Sequence, residues 1–185
     1  MIGTFEMAEF YSDVVLKIRN LRKPVIAAVN GPATGGGLAF VLASDVRIAA
    51  QSARFAVSFI KAGFSAGDMG TSWLLPRLVG AARAHELLLT ARLFGASEAE
   101  RIGLLARVVP DGEIVSAALD KAREILANNP FGVALTKEVM WANLEIGSLF
   151  AGIDLENRTQ TMTTATEDSG EARRAFVEHR QPRFR

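Results

Sequence analysis

No cysteine occurs among the 185 residues, which excludes disulfides, thiolate metal sites and cysteine nucleophiles. Histidine is almost as scarce. His85 and His179 are the whole supply, far apart in the chain, so no histidine-rich metal site is expected. An excess of either charge is also lacking: 21 basic against 20 acidic side chains leave +1. That balance gives no electrostatic case for nucleic acid or an acidic partner. Uninterrupted apolar runs are missing too. Residues 24–43 come nearest, but Asn30, Pro32 and Gly35-Gly36-Gly37 split them, so a glycine-rich turn suits the stretch better than a membrane span. The opening MIGTFEMAEF carries acidic residues where a secretory signal needs a basic start. A cytoplasmic protein with no membrane association is expected.

What is present centres on Pro24 to Ala50, PVIAAVNGPATGGGLAFVLASDVRIAA. Pro24 to Val29 reads as a short buried strand. Asn30-Gly31-Pro32 reads as a turn. The glycine triplet then opens a helical segment, Leu38 to Ala43, and Asp45 to Ile48 reads as the next strand. Glycines at a strand-to-helix junction let a ligand oxygen come close to the backbone. The first N–H groups of a helix lack internal partners, and the macrodipole makes that end positive. Such an end can hold an anion or a developing oxyanion. A tight turn needed only for close packing explains the same glycines.

The remaining chain divides by composition near residue 110. Residues 1–110 mix helices and strands. Thr4 to Leu21 reads as a helix with Phe5, Ala8, Tyr11, Val15 and Ile18 near one face. Ala53 to Val57 reads as a strand, Gly70 to Leu78 as a helix interrupted by Pro76, and Ala81 to Ala91 as a helix by propensity. Ser97-x-x-Glu100 fits a capping box for a short helix, and Leu104 to Val109 a closing strand. Residues 111–185 read as helical throughout, over Ile114 to Leu126, Phe131 to Ile146, Ser148 to Thr164 and Asp168 to His179. Ser58 and Ser65 lack a G-x-S-x-G context, and the glycines fit neither G-x-G-x-x-G nor a phosphate-binding loop.

KPVIAAVNGPATGGG, SDVRIAA, the run from Asp68 through SWLLPRLVG, AHELLLTARLFGASEAERIGLLARVV and the terminal AFVEHRQPRF together resemble the crotonase (enoyl-CoA hydratase/isomerase) family. The likeness runs from about Leu21 to Arg185. It implies an α/β fold: a crotonase-like (ClpP/crotonase) core over 1–110 and an all-helical oligomerisation region over 111–185. Family members usually carry several strands ahead of the first helix read here, with a loop that donates a second oxyanion N–H. The core is therefore expected to be N-terminally truncated, with an uncovered sheet edge, reduced stability and weak turnover. Trimers, or dimers of trimers, are implied.

The resemblance also implies a chemistry. Crotonase-like enzymes hold an acyl-CoA thioester so that charge on its carbonyl oxygen meets backbone N–H groups, and Gly36 matches one donor. Ala33, Gly35, Gly37, Phe59, Phe64 and Trp73 fall at positions expected to line the substrate. Coenzyme A arrives as part of the substrate, and no further cofactor and no metal are implied. Typical hydratases have glutamates where this chain has Ala39 and Phe59, and neither residue can move a proton. Asp68-Met69-Gly70-Thr71 resembles instead the segment of dienoyl-CoA isomerases that supplies an acid/base aspartate. Enclosed by Phe59, Phe64 and Trp73, Asp68 would be a proton shuttle; alternatively, it N-caps the helix that follows. The expected function is that of an acyl-CoA lyase or isomerase of fatty acid metabolism. The alternative is a non-catalytic member that binds acyl-CoA or contributes oligomer contacts.

Overall fold

The computed structural model describes residues 2–184. Its elements fall into two compact units, one built from the chain through Leu21 together with Val25–Asp120, the other from Arg22–Pro24 with the chain from Lys121 onward.

The first unit opens with helix α1, Ile2–Asn20. The strands β1 (Ile26–Val29), β3 (Val46–Ala50) and β6 (Arg107–Val109) form a parallel sheet in the order β1-β3-β6. Between β1 and β3 come a short strand β2 (Pro32–Thr34) and helix α2 (Gly36–Ala43). A second sheet joins β2 in parallel to β4 (Arg54–Ala56), and β4 in antiparallel fashion to β5 (Phe94–Gly95). Helices α3 (Thr71–Val79) and α4 (Ala81–Thr90) lie between β4 and β5 in the chain, and α5 (Ala96–Arg101) follows β5.

The core forms where apolar residues have no polar group to satisfy. Helix α2 buries Leu38, Ala39, Val41, Leu42 and Ala43, β3 buries Ile48, Ala49 and Ala50, and Phe55 meets Phe94 across β4 and β5 with ring centroids 5.6 Å apart. The Ser44-Asp45-Val46-Arg47 segment serves this core. Asp45 Oδ2 accepts the Val25 N–H at 2.7 Å. Arg47 donates to Leu104 O at 2.7 Å and to Ser44 O at 2.6 Å, so one side chain joins the end of α2 to the loop before β6. Burial pulls the Arg47 guanidinium below its ordinary pKa, while the charge of Asp45 opposes that shift.

Four expectations need correction. Pro32 does not merely turn the chain: it starts β2, a position where a missing N–H costs no ladder bond. Strand β1 is not buried, since only Val29 of its four residues is; β1 lies at a sheet edge, with β3 as its partner among the described residues. The face read on α1 is covered at Val15, at 4% exposure, and in part at Ile18, whereas Phe5 and Tyr11 are exposed. Ser97 and Glu100 form no capping box. Gly95 is the N-cap of α5 without a side-chain bond, and Glu100 Oε1 instead accepts the Val108 N–H at 2.9 Å. Non-local strand contacts took the carboxylate that a local motif would have used.

The second unit contains α7 (Pro130–Asn143), α8 (Leu149–Thr164) and α9 (Glu167–Val177). Each begins at a polar cap: Asn129 accepts from Phe131 N and Gly132 N, Ser148 from Ala151 N, and Thr166 from Ser169 N. The boundary lies at Asp120, inside α6 (Ile114–Leu126), rather than at the Pro110-Asp111-Gly112 turn. Ile114 explains the shift, because it is buried with Ile48 and Val109 in the core of the first unit. No helix among the described residues is long and apolar enough to cross a membrane.

Candidate active site

The glycine triplet is placed by β2, whose Ala33 and Thr34 pair with Phe55 and Ala56 of β4. Gly35 N–H continues this ladder, donating to Ala56 O at 3.0 Å. Gly35 itself has φ 51° and ψ −120°, a conformation that an L side chain rarely adopts. Space gives a second reason for glycine there. A Cβ would lie 3.2 Å from Ser58 Oγ and 3.6 Å from Phe59 Cε1.

Helix α2 starts at Gly36 with no side-chain cap. The N–H groups of its first turn therefore keep the partial positive charge of an open helix end. Gly36 is half-buried and Gly37 exposed, while Leu38 and Ala39 are buried. Access thus falls on Gly36 and Gly37, between the buried Gly35 and Leu38. A Cβ at Gly37 would meet nothing within 4 Å, but one at Gly36 would lie 3.2 Å from Met69 Sδ. A carbonyl oxygen brought to Gly36 would meet a backbone donor on a residue that has no side chain of its own, which favours stabilising negative charge on that oxygen.

Met69 brings Asp68 to this place. Met69 and Gly70 have consecutive positive φ values, 48° and 75°, and the resulting bend is held by Thr71. Its N–H donates to Asp68 O at 2.9 Å. The fully buried Thr71 hydroxyl lies 2.6 Å from Ala66 O and 2.9 Å from Asp68 O. Asp68 Oδ1 accepts the Met69 N–H at 2.8 Å. The N-cap of α3 is Gly70, without a side-chain bond, so Asp68 does not cap that helix. Asp68 is half-buried, and Oδ1 is the oxygen held by that bond.

The other expected site residues divide. Ala33 is buried in β2, and Phe59 lies against Gly35 in the short 3-10 helix Ser58–Ala62. Phe64 is 65% exposed and does not enclose Asp68. The Trp73 ring is engaged by Arg77 at 3.8 Å and Arg19 at 4.8 Å from its centroid. Of the two hydratase glutamate positions, Ala39 is fully buried and Phe59 presents a ring to the glycine turn. Sequence reasoning missed Ser58, Met69 and Thr71. Thr71 had a signal, as part of the D-x-G-T run; the left-handed backbone of Met69 had none, because methionine rarely adopts it.

Elsewhere, the basic tail folds back on an acidic residue. Glu171 accepts Arg180 Nη1 at 2.6 Å and Arg183 N–H at 3.0 Å, and its pKa is held at about 2, mainly by the Arg180 hydrogen bond. These residues line a cleft of about 470 Å³ with Glu167, Asp168 and Arg174. Arg185 of that tail lies outside the described residues. His85 is exposed on α4.

Comparison with known proteins shows the family and the fold. The model of the family described as Enoyl-CoA hydratase/isomerase matches residues 5–185. A Mycobacterium tuberculosis protein named "Probable enoyl-CoA hydratase EchA12" is 44% identical over 177 residues, covering 95% of this chain and 62% of the relative. The 1,2-epoxyphenylacetyl-CoA isomerase of Escherichia coli (strain K12) is 37% identical over 175 residues, with 95% and 66% covered. The crystal structure of a Streptomyces coelicolor A3(2) protein described as an enoyl-CoA hydratase matches with TM-score 0.96 at 37% identity, over 100% of this chain and 67% of that one. The chain belongs to the enoyl-CoA hydratase/isomerase family and has the crotonase fold. It spans 62% of the length of the Mycobacterium tuberculosis EchA12 relative.

Proposed function

We propose that this chain binds an acyl-CoA thioester with its carbonyl oxygen at the Gly36 N–H, and that Asp68 moves a proton on the acyl chain. The Asp68 carboxylate takes a proton from carbon, and the electron pair left behind delocalises onto the thioester oxygen as an enolate. The open end of α2 stabilises that charge. Asp68 then returns its proton to another carbon of the conjugated system, which completes an isomerisation. Every proton removed is given back, so the route calls for no redox partner or metal. Hydration by two carboxylates is disfavoured because Ala39 and Phe59 stand at those positions. We place this activity in the cytoplasm and in a homotrimer or dimer of trimers.

The observation that carries this reading is the contact of the Asp68 loop with Gly36, made through Met69. A second reading, binding without turnover, draws on the same Ala39 and Phe59. Incubation of the purified protein with short and medium enoyl-, dienoyl- and acyl-CoA thioesters separates them. Double-bond movement that Asp68→Asn abolishes supports the catalytic reading. Saturable binding with no turnover of any thioester supports the other.

A further inference from the structure

Met69 combines three features that ordinary packing does not require together. It is a buried, non-glycine residue at φ 48°, where an L side chain is strained. Its N–H is the hydrogen-bond donor to Asp68 Oδ1, at 2.8 Å. Its thioether reaches Gly36, with Sδ at 3.2 Å and Cε at 3.5 Å from where a Cβ would stand. A glycine at position 69 would adopt the same bend without strain. Strained residues of this kind are retained where the surrounding structure over-determines them, and they concentrate at functional sites.

We infer that Met69 is a positioning residue, which sets the offset between the Asp68 carboxylate and the Gly36 N–H. The left-handed backbone turns the Met69 N–H onto one carboxylate oxygen, leaving the other for the proton. The thioether, wedged on the Cα side of Gly36, fixes the distance between the loop and the helix end. Methionine suits that wedge, being long, unbranched and polarisable. The inference rests on the proposed proton transfer for its kinetic consequences, but the link from Met69 to Asp68 is testable without turnover.

The first arm is nuclear magnetic resonance on the whole chain. The Met69 amide proton is expected to shift as the Asp68 carboxylate titrates, and to lose that response in Asp68→Asn. An amide that ignores the titration overturns the inference. The second arm uses solvent-deuterium exchange into an acyl-CoA, followed well below the melting temperature. Met69→Gly keeps the backbone bend and removes the wedge, so kcat is expected to fall roughly 10–100-fold with KM little changed. Met69→Leu, which restores bulk, is expected to recover most of that loss. A residue that only fills the core would lower the melting temperature of Met69→Gly and leave kcat near the parental value, and that result overturns the positioning role. If the parent chain catalyses no exchange, the proposed function fails while the amide titration still decides the role of Met69.

Discussion

Placing a methyl group on Gly36 tests the glycine turn as chemistry rather than as packing. In Gly36→Ala the new Cβ would stand 3.2 Å from Met69 Sδ and 3.5 Å from Met69 Cε, so the thioether must retreat by a few tenths of an ångström. Overpacking of this kind costs about 1–3 kcal/mol. The better helix propensity of alanine returns at most about 1 kcal/mol. A net loss of about 1 kcal/mol corresponds to a fall of roughly 2–4 °C in melting temperature for a chain of this size. Activity should suffer far more. The retreat of Met69 moves Asp68, and the methyl group crowds the oxygen that the Gly36 N–H must receive. Loss of one such donor typically lowers the rate by ~10²–10³-fold. The assay is deuterium exchange into a short acyl-CoA, with Gly37→Ala as the internal control for stability. A Cβ at Gly37 meets nothing within 4 Å, so that variant should melt no lower than the parent. Exchange by Gly36→Ala at the parental rate would refute the oxyanion role, and a Gly37→Ala protein less stable than Gly36→Ala would refute the packing argument.

Asp68→Asn should keep its fold and acyl-CoA binding while losing nearly all turnover; equal turnover, checked beside a binding titration, would return Asp68 to a structural role. The folded-state pKa of Glu171 is depressed, to about 2 from the ordinary 4.5, so its pairing stabilises the tail above that ordinary value and the contribution fades as pH falls through about 2. Arg183 amide signals should therefore stay at their folded positions from pH 7 to below pH 4, and release of the tail near pH 5 would contradict the pairing. Exposed apolar residues in the second unit, among them Phe150 at 86% and Leu149 at 76%, together with Met140 on α7, lead us to expect a trimer or hexamer by light scattering; a stable monomer at micromolar concentration would refute it.

Much of this fold is legible in local sequence. The glycine turn, α2 and β3 follow from composition and periodicity, and the helices after residue 110 follow from their caps and apolar spacing. The points that escaped are those decided by distant partners. Pro32 begins a strand because β4 lies alongside it. Glu100 abandons a capping box because Val108 N–H is within reach. The burial expected of β1 fails because its outer edge has no partner among the described residues. At the site, Gly36 and Asp68 were legible as residue types in recognisable runs. Their connection through Met69 was not, since nothing in the sequence marks a methionine for a left-handed backbone.

The proposed chemistry is formation of a thioester enolate at Gly36 with Asp68 as the proton carrier. Its most direct test is mass spectrometry of an acyl-CoA held in D₂O with the purified protein, a measurement that accumulates even slow exchange and does not depend on which product the enzyme releases. Deuterium is expected on the acyl chain above the enzyme-free blank, and none above it with Asp68→Asn. Deuterium incorporation identical in the parent and in Asp68→Asn would contradict it, as would tight acyl-CoA binding with no incorporation at all.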